Sequence, residues 1–297
     1  MGILTFIVTV VLIGCEGDSK NLQTPEEQLD KVGEEQVIPW GIELVGYQTS
    51  VSKTPVKVAV LDSGIYKEHE DLQGKVVKEF NAINPGQPVE DDYGHGTAVA
   101  GIITANDNDV GIIGVTQDVE LYDVKVLNAE GKGSVEDLIS AIEWCMAEQV
   151  DIINISFGFQ SKNRSLERVI EEAVSQGIII VAAAGNTYGL GVDYPARFHH
   201  TLSISAIDAD MNRPSSTAKG KVDYVAPGVS IISTDPVGGY SIYEGTSFAT
   251  AYATGAIAVL ISDLREVDQS IDHILNQHVH FLEGVEDEFG KGILVIK

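Results

Sequence analysis

From Val56 onward the chain alternates short runs rich in β-branched residues with longer amphipathic stretches. Val56–Leu61 reads as a strand that ends in Asp62-Ser63-Gly64, and Glu120–Leu127 reads as a second. Asp151–Ser156 and Gly177–Ala182 are nearly continuous apolar runs, the pattern of strands covered on both faces. Between them, Leu138, Ile142 and Cys145 share one helical face, as do Leu166, Val169, Ile170, Ala173 and Val174. Two further apolar helices are expected, from Ala98 to Ala105 and from about Ser247 to Leu264. Strand–helix–strand repetition predicts an α/β fold of three layers, a mainly parallel central sheet flanked by helices. Such sheets bind ligands at the carboxyl ends of their strands, and the unusual polar residues fall there.

The amino terminus has a different pattern. Residues Ile3–Gly14 are apolar apart from Thr5 and Thr9, and a polar stretch from Glu16 to Glu35 follows. A run of that length is too short for a bilayer core of about 30 Å and suits the apolar region of a signal peptide. It closes on Leu12-Ile13-Gly14-Cys15, which resembles the bacterial lipoprotein signal, in which a small residue precedes a cysteine that is lipidated. No Lys or Arg precedes the run, so an ordinary signal or a fortuitous apolar segment stands beside that reading. Residues 1–15 are thus expected to be a signal with Cys15 as a lipid anchor. Residues 16–35 are expected to be an acidic tether, and residues 36–297 one catalytic-size domain.

Composition narrows the partners. Of 297 residues, 44 are acidic and 19 basic, a net charge of −25. Phosphate binding needs clustered Lys and Arg, so nucleic acid is excluded as a partner class and docking on anionic lipid is disfavoured. Divalent cations are the class this balance favours; the rest of the charge reads as a solvated surface. The two cysteines, Cys15 and Cys145, supply no disulfide framework. Cys145 lies on an apolar helical face and reads as a small buried hydrophobe.

Three polar segments interrupt core-like sequence: Asp62 at a strand end, His95 within Asp91-Asp92-Tyr93-Gly94-His95-Gly96-Thr97, and Ser247 within Gly245-Thr246-Ser247-Phe248-Ala249. Taken singly, each has a local explanation as a turn cap, a loop histidine or a helix N-cap. Together they supply an orienter, a base and a nucleophile. A serine hydroxyl is a poor nucleophile until a base takes its proton, and a carboxylate fixes the tautomer of that base. A serine at a helix start also offers main-chain N–H groups to a developing oxyanion.

These segments resemble, in order, the three signatures of the subtilisin-like serine proteases, the subtilase family, and the likeness runs from about Gln36 to Lys297. A fourth segment, Ala182-Ala183-Ala184-Gly185-Asn186, is similar to the family's oxyanion segment. The resemblance implies a serine endopeptidase, with Asn186 as the side-chain donor to the tetrahedral oxyanion. It implies substrate main-chain binding along Ser156-Phe157-Gly158 and along Gly131-Lys132-Gly133-Ser134, so that peptides bind as an added strand. Val192-Asp193-Tyr194-Pro195 resembles the segment that closes the first specificity pocket. Asp193 there either selects Lys or Arg before the cleaved bond or is a solvated loop carboxylate. The oxygen-rich loop Ala105–Gly114 lacks EF-hand spacing and resembles the family's calcium loop. By that likeness structural Ca²⁺ would be held by Gln36, Asp71 and Asn108 side chains and the carbonyls of Asn106, Val110 and Ile112; the competing reading is a polar surface loop. The likeness further implies peptide or protein substrates, a monomer, and an extracellular or cell-surface location.

Three departures stand out. Phe248 replaces the usual Met, which is expected to alter packing behind the serine more than chemistry. Ala251-Tyr252-Ala253 replaces Pro-His-Val. The stretch before Gln36 is short, and a long inhibitory prosegment like that of secreted members is not expected within it. A pseudoprotease, a peptide-binding module on the same fold, is the alternative class. His69, His199 and His200 read as structural or surface residues.

Overall fold

The computed structural model describes residues 24–50, 54–264 and 270–296. Eleven strands occur among the described residues, nine of them in one sheet. In chain order the central ones are β1 (Val56–Asp62), β2 (Val76–Asn81), β3 (Val119–Lys125), β4 (Ile152–Ile155), β5 (Ile179–Ala183), β6 (Leu202–Ile207) and β7 (Tyr224–Pro227). β8 (Ile231–Thr234) and β9 (Tyr240–Tyr243) form a separate antiparallel hairpin, and β10 (Val279–His280) and β11 (Ile293–Leu294) extend one edge of the large sheet. The order is β10-β11-β7-β6-β5-β4-β1-β3-β2, parallel throughout except for the β10–β11 pair.

The near-continuous apolar runs do what their pattern requires: every residue of β4 is buried, and only Lys57 of β1 is not. Helices cover both faces of the sheet, as expected. α4 (Val135–Glu148) and α5 (Arg164–Ser175) pack together, with Leu138, Ala141, Ile142 and Cys145 of one and Leu166, Val169, Ile170 and Ala173 of the other buried. α3 (His95–Thr104) and α6 (Thr246–Leu264) also pack together, and α6 crosses β4 to β7. α6 is apolar on all sides because it is the buried helix of the fold. No helix of the described residues is long and apolar enough to cross a membrane. Burial pushes the Cys145 thiol far above its ordinary range, so it behaves as the inert buried group the sequence predicts.

The chain reverses its progress across the sheet at β1, which pairs with β3 on one side and β4 on the other. This opens a crevice at the carboxyl ends of these strands.

Two expectations change. The signal and Cys15 lie outside the described residues, but the end of the expected tether is folded. Thr24 caps α1 (Pro25–Lys31) in a capping box with Glu27, and Val32 then packs with Val37, Ala105, Ile112 and Ile232. Composition alone hid this, although Thr24-Pro25-Glu26-Glu27 is a helix-start signal. The helix expected at Ala98 begins instead at His95. Gly94 adopts φ 94°, and Asp91 caps the free N–H groups, accepting from Gly94 at 2.7 Å and Thr97 at 3.0 Å.

Candidate active site

Asp62 is the last residue of β1 and fully buried. His95 is the first residue of α3, and its Nδ1 lies 2.8 and 2.9 Å from the two Asp62 carboxylate oxygens. This contact needs Gly96, because a Cβ there would collide with the Gly64 carbonyl oxygen. Burial lowers the imidazole's proton affinity, but the charge and hydrogen bond of Asp62, aided by Asp91, outweigh it and the His95 pKa is raised.

Asp91 was not singled out from sequence, yet it organises this corner. One of its oxygens accepts from the Ser63 hydroxyl at 2.7 Å and the other from the Thr97 hydroxyl, which in turn accepts the Tyr66 N–H at 2.9 Å. It thus ties the turn after Asp62 to the helix that carries His95. An acidic residue four positions before a helical histidine was the available signal.

Ser247 lies in the first turn of α6. It shares a cavity of about 470 Å³ with His95, Asn186, Gly131, Ser156 and Phe157. In this structure the Ser247 hydroxyl donates to the Ser156 carbonyl at 2.7 Å and makes no hydrogen bond to His95. Asn186 follows β5; its Oδ1 accepts the Thr246 N–H at 3.3 Å, which leaves the amide nitrogen for the cleft. The Ser247 N–H belongs to a first helical turn, where N–H groups lack intrahelical acceptors. A carbonyl oxygen attacked by Ser247 would therefore find two donors of different origin.

Both predicted substrate segments contribute residues to the lining of this cavity. Gly131 comes from one, with the Tyr93 ring beside it, and Ser156 and Phe157 come from the other, as irregular chain beyond β4. Gly133, Gly158 and Asp193 sit outside the cavity lining. A Cβ at Gly133 would be 3.7 Å from the Phe157 ring, and one at Gly158 would be 2.7 Å from Asp193 Cβ. Asp193 has no ion-pair partner among the described residues, and desolvation raises its pKa. Phe248, expected to alter packing more than chemistry, lies against His95: its ring centroid is 5.3 Å from that of His95 and 5.0 Å from that of Tyr243. Tyr252, the other departure, is fully buried against Gly41 of α2 (Trp40–Val45) and Pro227, so it anchors the amino-terminal segment.

The expected calcium residues also converge. The Gln36 amide nitrogen is 2.9 Å from the Asn106 carbonyl and 3.5 Å from that of Ile112. The Asn108 amide is 3.1 Å from Asp71 Oδ1, and the other Asp71 oxygen accepts from Ile112 N–H and the Tyr240 hydroxyl, each at 2.9 Å. The Val110 N–H lies 3.3 Å from Asn108 Oδ1. Burial raises the Asp71 pKa, with the hydrogen bonds from Ile112, Tyr240 and Asn108 opposing the rise. Turning the two amides by 180° would direct Gln36 and Asn108 oxygens where their nitrogens now point, toward a hard, oxygen-rich set that fits Ca²⁺. No group of three or more His, Cys, Asp or Glu is placed to hold a metal ion among the described residues. His69 is structural, as expected: buried, with Nδ1 accepting Asp71 N–H and Nε2 2.8 Å from the Gly239 carbonyl. His199 and His200 are exposed and pack edge to face.

A second cavity, of about 500 Å³, opens at the amino ends of β5 to β7, away from these groups. Its Lys221 and Lys291 are balanced by Asp223 and Asp272, and no nucleophile–base pair lines it.

The profile of the subtilase family matches residues 53–292. The chain is 40% identical over 236 residues to subtilisin amylosacchariticus of Bacillus subtilis subsp. amylosacchariticus, a match covering 76% of this chain and 62% of that protein. It is 35% identical over 277 residues to subtilisin DY of Bacillus licheniformis, covering 88% and 98%. It is 39% identical over 241 residues to an alkaline protease of Alkalihalobacillus alcalophilus, covering 79% and 62%. The chain therefore spans under two thirds of the length of several curated relatives it matches.

Proposed function

The chain belongs to the subtilase family, and from that premise we propose that it is a serine endopeptidase. The observation that carries this reading is the buried Asp62 carboxylate gripping His95 Nδ1 through both oxygens at the wall of a cleft that also holds Ser247. Because Nδ1 then carries the proton, Nε2 is the free base. Rotation of the Ser247 side chain from the Ser156 carbonyl to His95 completes the relay; such bonds commonly tighten only once substrate is bound. His95 takes the Ser247 proton as Oγ attacks the peptide carbonyl, and returns it to the leaving amine. Asn186 and the Ser247 N–H hold the oxyanion, and water then hydrolyses the acyl-enzyme by the same route.

Substrate is a peptide in extended form, laid between Gly131–Gly133 and Ser156–Gly158 as an added strand. Asp193 gives a preference for Lys or Arg before the cleaved bond, by charge pairing in a partly desolvated slot. Calcium bound by Gln36, Asp71, Asn108 and the carbonyls of Asn106, Val110 and Ile112 acts structurally, joining the segment after α1 to the loop after α3. It takes no part in the reaction. Export, with Cys15 as a lipid anchor, and action as a monomer belong to the same proposal and rest on the amino-terminal pattern and the family.

A peptide-library digest with and without Ca²⁺, run beside Ser247→Ala, tests the reading. Cleavage lost in the variant supports it; equal cleavage by both proteins refutes it. The Ser247 hydroxyl turned to Ser156 favours a second reading, a peptide-binding module that does not cut, and a digest without cleavage would select it.

A further inference from the structure

Strand alternation puts Asp123 and Lys125 on one face of β3, and both are buried, at 1% and 6% exposure. Both reach the same turn, residues 62–66, which carries Asp62 off the end of β1. Asp123 Oδ2 accepts the Ile65 N–H at 3.0 Å, and Lys125 Nζ donates to the Ser63 carbonyl at 2.6 Å. Directly after β3, the Val126 and Leu127 N–H groups hold the Asp62 carbonyl at 2.8 and 3.0 Å. One strand end therefore grips three successive parts of the turn, through a carboxyl, an ammonium and its own main chain.

Of these, the Asp123 carboxyl is the costly component. Its surroundings are those of a core strand, its second oxygen has no hydrogen-bond partner, and no cation lies within ion-pair distance among the described residues. The charged groups that face it are Glu79, paired with Lys67 at 2.6 Å, and Asp91. An apolar side chain would fill such a position at lower cost. What it would not do is accept the Ile65 N–H, leaving that donor unsatisfied in the interior.

We propose that Asp123 is a positioning residue: by accepting the Ile65 N–H it fixes the 62–66 turn, and so the direction from which the Asp62 carboxylate meets His95 Nδ1. Its consequence for rate rests on the serine-endopeptidase reading; its geometry does not. Burial pushes this carboxyl well above the usual carboxylate range, with Glu79 and Asp91 adding to the rise and the Ile65 hydrogen bond and Lys67 opposing it. The neutral amide of Asn is therefore a fair mimic that keeps the acceptor.

Asp123→Asn is compared with Asp123→Val, which suits a buried strand but has no acceptor; Asp123→Ala stands in should the Val variant not fold. In the active protein the Asn variant is expected to keep kcat within about threefold. The Val variant is expected to lose about 10- to 100-fold in kcat at unchanged KM, the scale of a small misplacement of a reacting group. The same substitutions are then made in Ser247→Ala, where activity plays no part. There the Ile65 amide should exchange hydrogen faster, and the His95 imidazole pKa should fall, in the Val variant and not in the Asn variant. Unchanged Ile65 exchange and His95 pKa in the Val variant would overturn the proposal, whatever the activity. Absence of Ser247-dependent hydrolysis in the unsubstituted protein would instead sink the enzyme reading, with the Ile65 and His95 measurements still deciding the role of Asp123.

Discussion

Asp62→Asn probes the relay with the least disturbance, because it changes one atom. Asp62 Oδ1 accepts the Ser63 N–H at 2.8 Å as well as facing His95. An asparagine at this place keeps its oxygen on the Ser63 N–H, so its NH₂ takes the position of Oδ2, 2.9 Å from His95 Nδ1 in the present structure. The NH₂ opposes a proton on Nδ1 and can donate to that nitrogen when it is bare, which favours the imidazole tautomer protonated on Nε2. That nitrogen can then no longer receive the Ser247 proton. Loss of the correct tautomer in a Ser-His-Asp site lowers kcat by about 10⁴, equivalent to about 5.5 kcal/mol at 1.36 kcal/mol per decade. The assay is steady-state hydrolysis of a chromogenic peptide anilide across pH. KM should hold, since the cleft walls are untouched. In the unsubstituted protein the base must be neutral, so the rate falls as pH drops through a His95 pKa raised above its ordinary value by Asp62 and Asp91. With the charge gone, this acid limb should move to lower pH. A loss of less than tenfold, or an acid limb that stays in place, would refute the assignment of Asp62 as the tautomer-fixing group.

Other perturbations separate the remaining parts. Asn186→Leu removes one oxyanion donor and should cost about 10²–10³ in kcat with little change in KM; a change confined to KM would place Asn186 in substrate binding instead. Removing Ca²⁺ with EDTA should lower the melting temperature, since a ligand at 100 times its Kd stabilises by about 2.7 kcal/mol. Asp71→Ala should abolish that difference, and an unchanged melting curve with EDTA would eliminate the site. Asp193→Gly should erase a preference for Lys or Arg in cleavage profiling. In the unsubstituted protein that preference should weaken as pH falls through the Asp193 pKa, which desolvation raises; a flat preference in either test would end the charge-pairing role.

The strands and the three catalytic candidates were legible because polar residues with glycine neighbours break otherwise apolar runs, and the parallel topology sends such breaks to one edge of the sheet. Asp62, His95 and Ser247 follow that rule, whereas Asn186 was indicated only by the likeness of its segment to the family's. What lies behind them was not legible. Asp123 and Lys125 occupy ordinary alternating positions of a strand, and alternation gives a face without saying what that face grips. The contact of Phe248 with His95 depends on how α6 and α3 cross, which no local pattern encodes. The folded stretch around Val32 was obscured by its charge: α1 has no fully buried residue and is held by its cap, by half-buried Leu29 and by the packing of Val32 and Val37 that follows.

The central claim is that Ser247 is an activated nucleophile. Exposure to a fluorophosphonate probe, followed by mass spectrometry of the digested protein, addresses it directly. The account predicts one stoichiometric adduct on the peptide containing Ser247, slowed by Asp62→Asn and absent from Ser247→Ala. A folded protein that takes up no label, or takes it equally well without Ser247, would contradict it.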